Sequence, residues 1–154
     1  MKIYNYSGII LLIVLSAAGC KNSPGNKEAD ISIPDSVSEK ACIDMVIRVD
    51  DSLGKIRNHA CETATLSQAI TGYAAGISKI DFEECTAAFK TAFEKHRQAW
   101  IDFRELSDKY PDLRAEMHDL FDQLEKSKDS LLFKKLSKQI WDTWGDIEKV
   151  MKNN

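Results

Sequence analysis

The most regular stretch of the chain runs from residue 81 to residue 110. Phe82, Cys85, Phe89, Ala92, His96, Ala99, Phe103, Leu106 and Tyr110 recur there at alternating steps of three and four. That spacing keeps one face of an α-helix apolar and predicts a core-facing seam. Pro111 closes it, because the residue before a proline is pushed out of helical backbone, while proline suits the first turn of a following helix. A shorter helix is predicted over 112–126 with Leu113, Met117, Leu120 and Leu124 inward, and a last one, capped by Asp129 or Ser130, carries Phe133, Leu136, Ile140, Trp144, Ile147 and Met151.

Upstream, Asp35 or Ser36 with Glu39 reads as a capping-box start. The apolar row that follows is Cys42, Met45, Val49, Leu53 and Ile56, and the register continues through Leu66, Ile70, Tyr73 and Ile77. Gly54 and the Arg57-Asn58-His59 triplet are candidate breaks, so 36–77 fits either one long kinked helix or two helices. A turn is expected at Gly76 to Lys79, with Asp81 capping the next helix. The fold class is all-α: an antiparallel bundle of four or five helices over residues 35–154.

Residues 1–19 follow a different pattern. Lys2 precedes the apolar run Ile9 to Leu15, and Ser16-Ala17-Ala18-Gly19 leads into Cys20. About ten apolar residues cover roughly half of a 30 Å hydrocarbon core, so the run is expected to be a cleaved signal peptide and not a span. Small residues directly before a cysteine resemble the lipobox of bacterial lipoproteins, in which that cysteine is acylated and becomes the new N-terminus. Ala17 stands where leucine is commonest. The resemblance implies lipidation at Cys20, and Lys21, in place of the aspartate associated with inner-membrane retention, implies an outer-membrane address facing the periplasm or the cell surface. Residues 20–34 then form the lipidated cysteine and a polar tether with a reach of roughly 20 Å.

Composition narrows the function. The 154 residues carry 21 Lys and Arg against 24 Asp and Glu, a net charge of -3, with 7 glycines and 3 prolines. Losing Lys2 with the leader leaves 20 basic against 24 acidic side chains, or -4. A chain without a basic surface is not expected to bind nucleic acid. No G-x-S-x-G, H-E-x-x-H or phosphate-cradling glycine loop is present in the sequence, and no enzyme, metal or cofactor is expected. His96 lies on the apolar seam and reads as a core histidine; as an inward ligand it would instead suit a haem or small-ligand carrier.

Export would leave Cys42, Cys61 and Cys85 in an oxidising compartment. If the first helical region breaks near residue 58, the chain runs up, down and up, and Cys42 meets Cys85 at one end of the bundle. If 36–77 is unbroken, Cys42 and Cys61 stand about 28 Å apart and cannot bond. Cys85 also fits as a small core residue.

Arg97, Trp100 and Arg104 lie in one row about 40° around the helix from the seam. An indole flanked by guanidinium groups at a helix edge is a candidate partner-binding element, since Trp and Arg often anchor interfaces. The same spacing fits a Trp100 packed under a neighbouring helix, with the arginines paired to Glu94, Asp102 or Glu105. The run Arg97-Gln98-Ala99-Trp100-Ile101-Asp102-Phe103-Arg104-Glu105 resembles the signature helix of the bacterial lysozyme-inhibitor-like lipoprotein domains, and Asp51-Ser52-Leu53 is a looser match to their first helix. That family usually has a cysteine shortly after the arginine, where this chain has Leu106-Ser107-Asp108, so its disulfide pattern does not transfer. The resemblance implies a membrane-anchored, non-enzymatic binding protein whose partner is an envelope protein such as a cationic muramidase. The other expectation is a structural or assembly lipoprotein that docks into an envelope complex and cross-links through its spare thiol.

Overall fold

The computed structural model describes residues 35–153. The leader, Cys20, the tether and the Ser36 capping box lie outside the residues whose side chains are described. Within them the chain forms α1 (Asp35–Thr63), α2 (Leu66–Ile77), α3 (Ala87–Ser107), α4 (Met117–Glu125) and α5 (Ser130–Lys152), and the described residues contain no strand. The all-α bundle is therefore the architecture.

Neighbouring helices run antiparallel, as their contacts show. Leu53 of α1 meets Gly76 of α2, while α1 ends two residues before α2 begins. Ser67 and Tyr73 of α2 meet Asp108, just past α3, and Trp100 within it. Across α3 and α5, His96 pairs with Thr143 and Asp102 with Gln139, and Tyr110 reaches Asp129. α1 packs on α2, α2 on α3 and α3 on α5, while α4 bridges α5 and α1. α1 and α5 are not among the closely packed pairs, and a groove floored by α3 runs between them.

The first helix is longer than either break point allowed. Gly54 and Arg57 to His59 stay helical, and the chain turns at Ala64 and Thr65. There Thr65 and Gln68 form a reciprocal capping box that starts α2. The turn is anchored from outside: Leu66 N donates to Leu113 O at 2.8 Å, and Arg114 donates to Thr63 O at 3.3 Å. The core face of α1 is also not the expected row. Cys42, Ile43, Val46 and Asp50 are buried, whereas Met45, Val49 and Ile56 are 36%, 37% and 64% exposed. An acid occupies a core-facing position, so apolarity alone selects the wrong stripe.

α3 begins at Ala87, not Asp81. Thr86 supplies the cap by accepting from Phe89 N, and residues 81–86 form the connecting turn. The seam itself is buried from Cys85 to Leu106, but Phe93 and Trp100 are buried beside it, because α2 and α5 cover two sides of this helix. The helix expected over 112–126 is confined to α4, capped by Glu116. Asp129 makes no side-chain cap to α5; it accepts from the Tyr110 hydroxyl at 2.8 Å instead, and that hydrogen bond holds its carboxyl below the usual range. Trp144 is only partly buried and Met151 is 38% exposed, so neither belongs to the buried core.

Cys42 and Cys85 are joined by a disulfide that spans 43 residues of sequence, and Cys61 is a free, buried thiol. Closing a loop of that length removes unfolded-state entropy worth about 4 kcal/mol in the chain-entropy model, and real proteins return 2–4 kcal/mol. The double variant Cys42→Ala/Cys85→Ala is expected to lose about 2–4 kcal/mol of unfolding free energy in urea titrations, with helical content retained in water.

Candidate functional site

Three helices meet around one guanidinium. Arg57 of α1 lies over the Tyr73 ring of α2 and the Trp100 ring of α3, with Cζ 4.5 and 4.1 Å from the two centroids. The two rings touch edge to face at 4.9 Å. Arg57 Nε and Nη2 donate to Asn58 Oδ1 at 3.1 and 3.0 Å, and burial lowers its pKa. The Tyr73 hydroxyl donates to Asp50 Oδ1 at 2.7 Å, nearly two turns before Arg57 on α1. Burial raises the Asp50 pKa, opposed by the Tyr73 hydrogen bond and the Arg57 charge, and burial likewise raises that of Tyr73.

A second chain of polar contacts crosses from α3 to α5. Trp100 Nε1 donates to His96 Nε2 at 3.1 Å, and His96 Nδ1 lies 3.0 Å from Thr143 Oγ1. The Thr143 hydroxyl is within reach of the Gln139 and Ile140 carbonyls. Since Nε2 accepts, the neutral ring carries its proton on Nδ1 and donates it to Thr143. Burial pushes the His96 pKa down to about 4. Both ring nitrogens are engaged, so His96 is a structural core residue.

These groups form the floor and walls of a cavity of about 370 Å³ in the gap between α1 and α5. Asp50, Asp51, Lys55, Arg57 and Asn58 line it from α1, and Trp141 and Trp144 from α5. Tyr73, His96 and Trp100 close its base, so the chain's three tryptophans face one opening. A smaller cavity of about 160 Å³, bordered by Met117, His118 and Phe121, shares Arg57, Asn58, Trp100 and Trp141 with the first. Trp141 is 66% exposed and stands at both.

The expected row of Arg97, Trp100 and Arg104 does not form an exposed edge. Trp100 is 6% exposed and its guanidinium neighbour is Arg57. Arg97 pairs with Glu94 at 2.6 Å and has a buried Nε without a hydrogen-bond partner, while Arg104 is exposed on the last turn of α3. The reason is geometric: at Trp100, 40° from the seam is still inside the arc that α2 and α5 cover, whereas Arg104 stands clear of it, so the packed alternative with Arg97 on Glu94 is the one observed. Sequence reading missed Asp50, Arg57 and Tyr73. Trp141 did carry a signal, since it lies off the apolar row of the last helix. Among the described residues no group of three or more His, Cys, Asp or Glu side chains could hold a metal ion, and no helix is long and apolar enough to cross a membrane.

No family model matches the chain, and neither does any curated protein or solved structure. The likeness of residues 97–105 to the lysozyme-inhibitor-like domains therefore rests on that run of sequence.

Two outcomes follow from this geometry. Trp100→Ala is expected to destabilise the bundle by about 3–5 kcal/mol in denaturant titrations, the range for emptying a buried aromatic site. His96 has a folded pKa near 4 against 6.5 for the free group, so the unfolded chain binds the extra proton first and stability falls as pH drops from about 6.5 to 4. The full loss is about 3 kcal/mol, and His96→Gln should flatten that limb of the pH–stability profile relative to wild type.

Proposed function

We propose that the chain is a non-enzymatic binding lipoprotein of the bacterial outer membrane, anchored through acylated Cys20 and recognising its partner with the groove between α1 and α5. One observation carries the choice of surface: all three tryptophans face a single open cavity, and the most exposed of them stands at its mouth. Large exposed aromatic surface is costly to leave in water, and Trp is the side chain that most often dominates recognition energetics. The anchor is supported by the pattern of residues 9–20 and by the polar tether behind it.

The partner reading is an envelope protein of the cationic muramidase type. The resemblance at residues 97–105 suggests it, and a mature charge of -4 would steer such a hydrolase toward the domain. The assembly reading leaned on a spare thiol that could cross-link. Cys61 is fully buried, and burial raises its pKa, so it is poorly placed to attack another protein's disulfide.

The full-length protein, in detergent, is expected to bind a cationic lysozyme-type muramidase with an affinity that falls as salt rises. Trp141→Ala should weaken that binding by more than about 1 kcal/mol while the melting temperature stays unchanged. Calorimetric titration measures the affinity and a thermal scan the melting temperature. Binding untouched by the substitution removes the groove from the interface, and no binding to any muramidase removes the inhibitor reading. Cys20→Ser should shift the protein out of the membrane fraction, and intact-mass analysis of the wild type should show the acyl additions.

A further inference from the structure

The lining of the groove is specific enough to name a ligand class. Its charges cancel: Asp51 is paired with Lys55 at 2.7 Å, and Asp50 lies within the field of Arg57. An added cation would find the faces of Tyr73 and Trp100 already taken by Arg57 and would be repelled by it. An anion would meet Asp50 and Asp51. The cavity therefore favours a ligand without net charge.

That ligand must also answer polar groups. Asp50 is 6% exposed and uses Oδ1 for the Tyr73 hydroxyl, which leaves Oδ2 as an acceptor toward the cavity it lines. Asn58 spends its carbonyl oxygen on Arg57, which leaves its amide N–H groups to donate. A purely apolar ligand would bury these without partners at a cost of about 1–3 kcal/mol for each group. A ligand with hydroxyl donors and acceptors around its edge and C–H groups on its faces satisfies both demands. Its faces lie on indoles, whose negative π-faces attract C–H groups, and its edge reaches the carboxylate and the amide.

A pyranose ring has that construction. A cavity of about 370 Å³ lies in the range of small-molecule sites, about 300–1,000 Å³, and the adjoining 160 Å³ space adds a second compartment. Trp141 borders both, so it can stack on a chain that passes from one to the other. We propose that the α1/α5 groove binds a short, uncharged oligosaccharide of pyranose units, with Trp141 as the stacking platform and Asp50 and Asn58 as its polar contacts. This rests on the reading of the groove as the recognition site, and it adds the ligand that the groove itself accommodates.

The test titrates the full-length protein, in detergent, with chitotriose and with cellotriose, following tryptophan fluorescence and heat. The expected result is a saturable change with at least one of them at a Kd below about 1 mM. Trp141→Ala should weaken it at least about tenfold and Trp141→Phe less, with the melting temperature unchanged in both. Asp50→Asn, which keeps an oxygen for Tyr73, should also weaken it by about tenfold. Preference for chitotriose would place the ligand among N-acetylated envelope glycans; equal binding would assign recognition to the pyranose ring alone. No saturable change with either sugar to about 20 mM overturns the proposal. So does binding retained in Trp141→Ala, or a saturable response to choline or a lysine-rich peptide where both sugars are silent. Muramidase binding that persists and depends on Trp141 while both sugars fail would overturn this inference and leave the reading of the groove standing.

Discussion

The bundle is organised around the Arg57 guanidinium. A cation partly withdrawn from water loses a share of its hydration, and the fold must return it. Here the return comes from two ring faces, one side-chain amide and the nearby Asp50 carboxylate. Each source sits on α1, α2 or α3, so the guanidinium is satisfied only when those helices are docked in register. A cation–π contact is worth about 0.5–1 kcal/mol at an exposed site and about 2 when desolvated, and this one is made twice. The same arrangement explains the buried Asp50: its charge is tolerated because Tyr73 donates to it and Arg57 lies close by. α1 thereby sets a buried acid and a half-buried guanidinium side by side, joined through a tyrosine.

The groove follows from how the five helices share their contacts. α3 is the central element, covered by α2 on one side and α5 on the other, and α1 reaches it through α2 and the Arg57 stack. α4 has nine residues, so it closes only one end of the gap between α1 and α5. What is left open is lined by side chains whose polar atoms are already oriented: Trp100 by His96, His96 by Thr143, Asp50 by Tyr73. Such a surface is held in shape before any ligand arrives, which lowers the ordering cost of binding.

The seam of α3 was legible because its apolar positions follow the helical period from Cys85 to Leu106 and packing respects that period. The pairing of Cys42 with Cys85 was one of two open options, because it depended on where the first helical region turned. That turn was misplaced by several residues: Gly54 and the 57–59 triplet look like breakers, yet α1 continues to Thr63 because Arg57 is packed against two rings. The buried stripe of α1 was misread for a related reason, since Asp50 lies on it and Ile56 lies off it. A long-range polar partner such as Tyr73, 23 residues away, leaves no mark in local periodicity. The site suffered most from this, because Arg57, Asp50 and Tyr73 acquire their roles only through contacts between helices. For Trp100 two readings were open, an exposed helix edge and packing under a neighbouring helix, and the second is observed, with Arg97 paired to Glu94.

The disulfide has a mechanical side. Cys42 lies in the third turn of α1 and is bonded to the segment that leads into α3, the central helix. Any pull that enters the bundle through the residues before α1 is passed at Cys42 into a covalent bond, and from there into the best-buried helix. The stretch of α1 beyond that point, which carries Asp50 and Arg57, lies inside the covalent loop and is thus shielded from peeling.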